Sequence, residues 1–190
     1  KRRTSTPNTT RIDHIFDSIN FDNKKLIMHH GDLSDAGSLN RIINEINPDE
    51  IYNLAAQSHV KISFQIPEYT SDVNAMGPLR LLEIIRHYKK KKIKFYQASS
   101  SEMFGKSKPP QNEKTLFQPR SVYAISKVFA YYSVIHYREA YNLHACNGIL
   151  FNHESPRRGV NFVTKKIIQG LTRIKNGKQK ILVLGNLYSR

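Results

Sequence analysis

Short apolar runs and amphipathic helical stretches take turns along this chain, and that alternation narrows the available folds more than any other feature. "KLIMHHGD" (25–32) reads as a buried strand ending in glycine and aspartate. "SDAGSLNRIINEIN" (34–47) opens on a capping serine or aspartate and sets Leu39, Ile42, Ile43 and Ile46 at helical spacing, with Pro48 closing it. "EIYNLAA" (50–56) predicts a second strand, 67–88 a long helix, and "KIKFYQASSS" (92–101) a third strand. A Tyr- and Ala-rich helix over 123–141 follows, then a strand over 143–152, a helix over 161–175 and a last strand, "KILVLGN", over 180–186. Strands that are apolar almost throughout, separated by helices, belong in a parallel sheet with helices on both faces. The expected class is therefore α/β.

With 190 residues the chain has room for one domain and a substantial core, but not for two full domains. Hydrophobic residues make up 39%, which excludes a disordered chain by composition. No run approaches the roughly 18 apolar residues of a membrane span, and "KRRTSTPNTT" has no apolar core after its charges, so no membrane partner is expected. The single cysteine, Cys146, forms no internal disulfide and fits a reducing, cytoplasmic compartment. Its apolar setting, "LHACNGIL", predicts a buried, inert thiol. Eight histidines show no metal-ligand spacing, and no metal is expected.

Thirty Lys and Arg against 15 Asp and Glu give a net charge of +15, which makes nucleic acid a candidate partner. The basic residues are scattered, however, and the dense run at 89–92 falls between a helix and a strand, as a solvated helix end does. No aromatic single-strand platform or recognition-helix motif accompanies it. Nucleic acid is not the expected partner; a ligand carrying several phosphates suits the same charge.

Polar residues gather where the strands end: Asp32, then "AAQS" at 55–58, "SSSE" at 99–102 and "FNHE" at 151–154. Ligands of open parallel sheets bind beyond the carboxyl ends of the strands. The phosphate-binding glycine cluster that usually follows the first strand is absent, since all nine glycines are isolated.

In "RSVYAISKVF", Tyr123 and Lys127 stand at i and i+4, on one face of a helix. A neighbouring cation stabilises tyrosinate and lowers the phenol pKa, so Tyr123 is expected to accept a proton from a substrate hydroxyl while hydride leaves the adjacent carbon. The same spacing also fits an ordinary surface Tyr–Lys pair. A serine of "SSSE" can donate to a developing oxyanion, and Glu102 adds a carboxylate able to remove a proton from carbon. Glu102 equally suits a helix-capping role, and both readings stay open.

"GDLSD", "IYNLAAQSHVKISF", "FYQASSSEMFG", "RSVYAISK", "REAYNL" and "GILFNHESPRRG" together resemble the GDP-mannose 4,6-dehydratase family, extended short-chain dehydrogenases/reductases. The resemblance runs from about residue 2 to 186. It implies a Rossmann-like domain, here 1–152 and without its first strands, and the start of a smaller sugar-nucleotide domain at 153–190. It gives Ser100, Glu102, Tyr123 and Lys127 catalytic roles, with Ser100 where the family carries Thr. It places Arg2, Arg3, Thr4 and Ser5 at the ribose 2′-phosphate of NADP, and Asp32 and Leu33 beside the adenine. Leu54, Ala55, Ala56, Gln57 and Ser58 form the loop along the cofactor; Tyr69, Lys127, His153 and Arg158 add contacts. Asn152, Val163 and Lys166 match positions that touch the GDP-sugar.

The implied reaction oxidises carbon 4 of GDP-mannose through Tyr123 and NADP+, eliminates water from carbons 5 and 6 through Glu102, and returns the hydride to carbon 6. Its product, GDP-4-dehydro-6-deoxy-D-mannose, leads to GDP-fucose. The family also implies a homo-oligomer, dimer or tetramer. Tyr188 stands where the family usually carries Asp. The 190 residues are expected to be a piece of a longer protein and inactive alone. An epimerase or reductase of the same superfamily, which needs no Glu102, is the nearest alternative. A non-catalytic truncated chain using its basic surface is the other.

Overall fold

The computed structural model describes residues 1, 2, 4, 9–17, 26–185 and 187. Three strands, β1 (Glu50–Asn53), β2 (Lys94–Ser100) and β3 (Ala145–Leu150), form a parallel sheet in the order β1-β2-β3. Each lies inside a stretch read as a strand and is shorter than that reading. The ladder sets Ile51 opposite Phe95 and Phe95 opposite Ala145, and two residues on sets Asn53 opposite Gln97 and Gln97 opposite Asn147. Side chains two apart share a face, so an apolar rung is followed by a polar one toward the carboxyl ends.

The expected strand over 25–32 is not formed among its described residues, 26–32. A strand needs a laddered neighbour, and among the described residues β1 pairs with β2 alone. What 26–32 has is one rung: the Lys1 amine donates to His29 O and the Gly31 N–H donates to Lys1 O at 3.1 Å. That reciprocal pattern is parallel pairing, with Lys1 opposite His30.

Helices α1 (Asp13–Asp17), α2 (Ala36–Ile46) and α3 (Val60–Ser63) precede a long helical run. The Asp35 carboxylate caps α2 by accepting from Ser38 N at 3.1 Å, and Asn47 ends it in the left-handed region at φ 51°. The helix expected over 67–88 is α4 (Pro67–Ser71), a π segment (Asp72–Met76) and α5 (Gly77–His87). Pro78 causes the widening. It has no N–H for the carbonyl of Asn74, four residues back, so the ladder slips and Gly77 N–H bonds Asp72 O, five back. Gly77 also allows close approach: a Cβ there would lie 2.7 Å from the Cβ of Leu33.

The α6 helix (Val122–Tyr141) is capped by Ser121, whose hydroxyl accepts from Ala124 N at 3.1 Å, and ends at Asn142 with φ 52°. It packs on β2 and β3, and with α5 it closes the core around Leu82, Ile85, Phe95 and Val134. Each such side chain taken fully from water contributes about 1.5–3 kcal/mol. Tyr137 on α6 donates its hydroxyl to Glu83 on α5. Burial, then that bond, push its phenol well above the usual range, so the donating form persists.

On the opposite sheet face the rings of Tyr52 and Tyr96 lie 5.7 Å apart, and Tyr52 is 63% exposed. Cover by helices on both faces, expected from the sequence, is thus incomplete among the described residues. Cys146 shares this face, which is why it is exposed rather than buried as its apolar neighbours suggested. The lysine run holds the turn between α5 and β2: Lys90 reaches Asn44 O at 3.3 Å and Lys91 pairs with Asp49 at 2.7 Å. No helix among the described residues is long and apolar enough to cross a membrane.

The chain divides into two compact units, Lys1–Phe151 and Asn152–Arg190. In the second, α7 (Val163–Lys175) packs against the segment after it, with Gly170 facing Leu182 where a Cβ would stand 2.6 Å away. The expected strand over 180–186 is not formed among its described residues, 180–185, which have no ladder partner there.

Candidate active site

The buried positions of α6 include Tyr123, Lys127, Ala130, Val134 and Tyr137. Their spacing is one helical stripe, the one that packs on the sheet. Tyr123 and Lys127 are therefore not a surface pair; they are 9% and 3% exposed. The Lys127 ammonium donates to Ala98 O of β2 at 2.8 Å and lies 5.8 Å from the centre of the Tyr123 ring. Burial lowers its pKa from 10.5 to about 8, so it is still mostly protonated at pH 7.

Ser100 ends β2 and caps the 3-10 turn Ser101–Met103, its Oγ accepting from Glu102 N at 3.2 Å. Its own proton remains to donate, and its hydroxyl acts on the Tyr123 phenol in the direction that lowers the pKa. Glu102 is exposed and its charge is felt at Tyr123. The capping reading of Glu102 is not met: the cap is the Ser100 hydroxyl accepting from the Glu102 backbone N–H, and the Glu102 carboxylate takes no part in it.

One expectation is corrected. The pKa of Tyr123 is raised, not lowered. Burial is the main cause; the Ser100 hydroxyl partly offsets it and the Glu102 carboxylate adds to it. Lys127 does not hydrogen-bond the phenol; its ammonium donates to Ala98 O.

A second cluster lies beyond the end of β1. A cleft of about 710 Å³ is lined by Arg2, Asp32, Leu33, Leu54, Ala55, Ala56, Gln57 and Tyr69, among others. It unites most of the residues expected along the cofactor. Arg2 donates to the Tyr69 hydroxyl. Asp32 accepts from Ser34 N at 3.0 Å and Ser34 Oγ at 2.9 Å, fixing the turn into α2. Leu33 serves the core as well, at 7% exposed, and its carbonyl accepts from Arg80 at 2.9 Å. Ser58 is exposed, as is Thr4. Arg3 and Ser5 lie outside the described residues.

Sequence reasoning missed Asn74. This residue of the π segment is 1% exposed, and its side chain clamps the loop after β1: Oδ1 accepts from Gln57 N at 2.8 Å and Nδ2 donates to Gln57 O at 2.9 Å. The π turn sets that aim. The signal was present in Pro78, four residues after Asn74 within an otherwise helical pattern.

The second unit carries Asn152, His153, Arg158, Val163 and Lys166. Arg158 stacks over the Phe162 ring at 3.8 Å and pairs with Glu154 at 3.5 Å. Val163 opens α7 and is 61% exposed; Lys166 lies in its first turn, and Asn152 and His153 are exposed.

A family model described as GDP-mannose 4,6 dehydratase matches residues 1–190. The chain belongs to this dehydratase family. GDP-mannose 4,6 dehydratase 1 of Arabidopsis thaliana is 59% identical over 190 residues, 98% of this chain and 53% of that protein. GDP-mannose 4,6-dehydratase of Vibrio cholerae is 57% identical over 189 residues, 98% of this chain and 51% of that one. The chain thus spans about half the length of the curated relatives it matches. Among solved structures, RMD of Pseudomonas aeruginosa complexed with NADPH superposes with a TM-score of 0.75 at 25% identity, covering 90% of this chain and 58% of that one.

For a GDP-mannose 4,6-dehydratase family member, the Asn74 clamp ties a helix to the loop lining the cleft. Asn74→Ala removes both bonds and strands two backbone groups of Gln57. It is expected to cost about 1–3 kcal/mol, read by denaturant unfolding. Asn74→Asp keeps an acceptor for Gln57 N but sets a buried carboxylate against Gln57 O, so it should cost at least as much as Ala; an Ala variant as stable as the parent contradicts the clamp.

Proposed function

We propose that the full-length protein carrying this chain is an NADP-dependent GDP-mannose 4,6-dehydratase, which converts GDP-D-mannose to GDP-4-dehydro-6-deoxy-D-mannose and water. The observation that carries this reading is the gathering of Ser100, Glu102, Tyr123 and Lys127 around the end of β2. Tyr123, Lys127 and a hydroxyl suffice for oxidation and reduction; the free Glu102 carboxylate adds the base that elimination needs.

The cleft beside β1 suits the cofactor: Arg2 offers a guanidinium for a phosphate, Leu33 and Leu54 apolar walls, and 54–57 a backbone edge. Lys127 and Tyr69 complete the set in the first unit, and His153 and Arg158 belong to it in the second. A nicotinamide held there would supply the hydride acceptor for carbon 4 and the hydride donor for carbon 6. Tyr123 accepts the proton of the 4-hydroxyl, and Ser100 donates to the oxygen as it becomes a carbonyl. The new ketone acidifies the proton on carbon 5; Glu102 removes it and passes it to the hydroxide leaving carbon 6, which departs as water, and the proton held by Tyr123 goes to carbon 5 as hydride reaches carbon 6. Tyr123 must give up a proton that burial makes it keep, and the Lys127 ammonium, anchored on Ala98 O 5.8 Å from the ring centre, is the positive charge placed to stabilise the phenolate. Asn152, Val163 and Lys166 hold the GDP-sugar.

We further assign the product to the route toward GDP-fucose, and the protein to the cytoplasm as a homo-oligomer. Incubation with GDP-mannose and NADP+, followed by mass spectrometry, tests the reading. A product lighter by one water supports it; an isomer of unchanged mass points to an epimerase.

Cofactor choice is a separate expectation. A charge-assisted contact from Arg2 to the 2′-phosphate is worth roughly 1.5–3 kcal/mol, so NADP should bind about ten- to a hundredfold tighter than NAD. Arg2→Ala should erase that preference in a titration of both cofactors; equal affinities in the parent show that the N-terminal stretch has another role.

A further inference from the structure

We propose that Asn53 and Gln97 are positioning residues for Lys127: they hold the Ala98 carbonyl in the orientation that receives the ammonium. This rests on the catalytic reading of Lys127 given above. The two face each other across the β1–β2 ladder and are 4% and 1% exposed. Two residues earlier on the same face the rung is Ile51, Phe95 and Ala145, the ordinary apolar content of a face packed on helices. Amides buried one rung further on are costly unless paired, and they are paired in series. Asn53 Nδ2 donates to Gln97 Oε1 at 2.8 Å, and Gln97 Nε2 donates to Ala98 O at 3.0 Å. Lys127 Nζ donates to that same oxygen at 2.8 Å.

A carbonyl oxygen has two lone pairs, and here both are taken, one by an amide and one by a cation. The Gln97 bond fixes how the Ala98 peptide is turned, and Asn53 fixes Gln97. Among the described residues, Ala98 O is the one hydrogen-bond acceptor found for the Lys127 ammonium, so whatever turns that peptide aims the ammonium. The third member of the rung anchors the helix instead: Asn147 Nδ2 donates to Tyr131 O, one turn after Lys127 on α6, at 3.1 Å. The polar rung thus sets both the acceptor and the helix that bears the donor.

The test separates positioning from packing. Gln97→Met removes the donor but leaves Asn53 Nδ2 unsatisfied, and is expected to lower stability as well. The double variant Asn53→Leu/Gln97→Met replaces both amides by apolar groups of similar shape, which restores stability without restoring the bond to Ala98 O. The readout is 13C-edited NMR of the lysine Cε–Hε groups in this chain, with Lys127 assigned by its loss in Lys127→Met. In the parent an immobilised Lys127 shows two inequivalent Hε protons. Both variants are expected to bring them together, while the double variant melts with the parent. Inequivalent Hε protons in either variant overturn the proposal, since packing alone would then fix Lys127. In the full-length protein the double variant should lose about tenfold in kcat, with KM for GDP-mannose within about twofold. Unchanged kcat overturns the proposal too. Absence of turnover in the parent strikes the dehydratase reading, while the NMR result still decides the role of the rung.

Discussion

Glu102→Gln in the full-length protein is expected to lower water loss from GDP-mannose by about 10²–10⁴-fold, the usual contribution of a positioned general base. The substitution is clean for structural reasons. The bond that caps the 3-10 turn runs from the Glu102 backbone N–H to Ser100 Oγ, so the side chain can change without disturbing it. The side chain is exposed, so stability should stay within about 0.5 kcal/mol of the parent. The carboxylate raises the Tyr123 pKa, so its removal makes the phenol easier to ionise and leaves the oxidation at carbon 4 unimpaired. Cofactor binding should therefore stay near normal while product formation stops. Turnover at the parent rate in this variant removes Glu102 from the mechanism.

The second large effect runs the opposite way for stability and function. Lys127→Met should abolish turnover and stabilise the fold. Folding carries the ammonium from water to a site 3% exposed, where its pKa drops from 10.5 to about 8. The gap, 10.5 less about 8, is roughly 2.5 pH units, and at about 1.36 kcal/mol each it amounts to a penalty of about 3 kcal/mol. The folded pKa lies below the unfolded one, so the unfolded chain holds more protons between them. The penalty is fully present below about pH 8 and fades as pH rises toward 10.5. At pH 7 the variant should thus melt higher, by about 2–4 °C for each kcal/mol gained, and the advantage should vanish near pH 10.5. Gln97 Nε2 still satisfies Ala98 O in the variant, so no buried carbonyl is orphaned. A variant that melts lower than the parent at pH 7 means that the ammonium is a net stabiliser of this site.

How much of this was visible beforehand follows from what each signal depends on. The spacing of Tyr123 and Lys127 is local, and so are the Ser121 and Asn142 caps of α6; the helix was expected over 123–141 and is observed over Val122–Tyr141. The strand over 25–32 failed because a strand needs a partner, and no local pattern supplies one. The long helix was read correctly in extent, but its π segment depends on one missing N–H at Pro78, and periodicity passes over a single residue. The sense of the Tyr123 shift was misjudged for a similar reason. Adjacency of a cation on a helix face suggests acidification, whereas burial and the direction of the Lys127 ammonium are properties of the packed molecule. The polar rung of Asn53, Gln97 and Asn147 shows in the sequence only as polar letters inside apolar runs. Its meaning depends on the register that aligns the three.

Following the hydride tests the central claim most directly. GDP-mannose carrying deuterium on carbon 4 is incubated with the full-length protein and NADP+, and the product is analysed by mass spectrometry and NMR. A product lighter by one water, with deuterium on carbon 6, is the result expected of Tyr123, Lys127 and Glu102 acting at one site. Product of unchanged mass, or deuterium lost from the sugar, contradicts it.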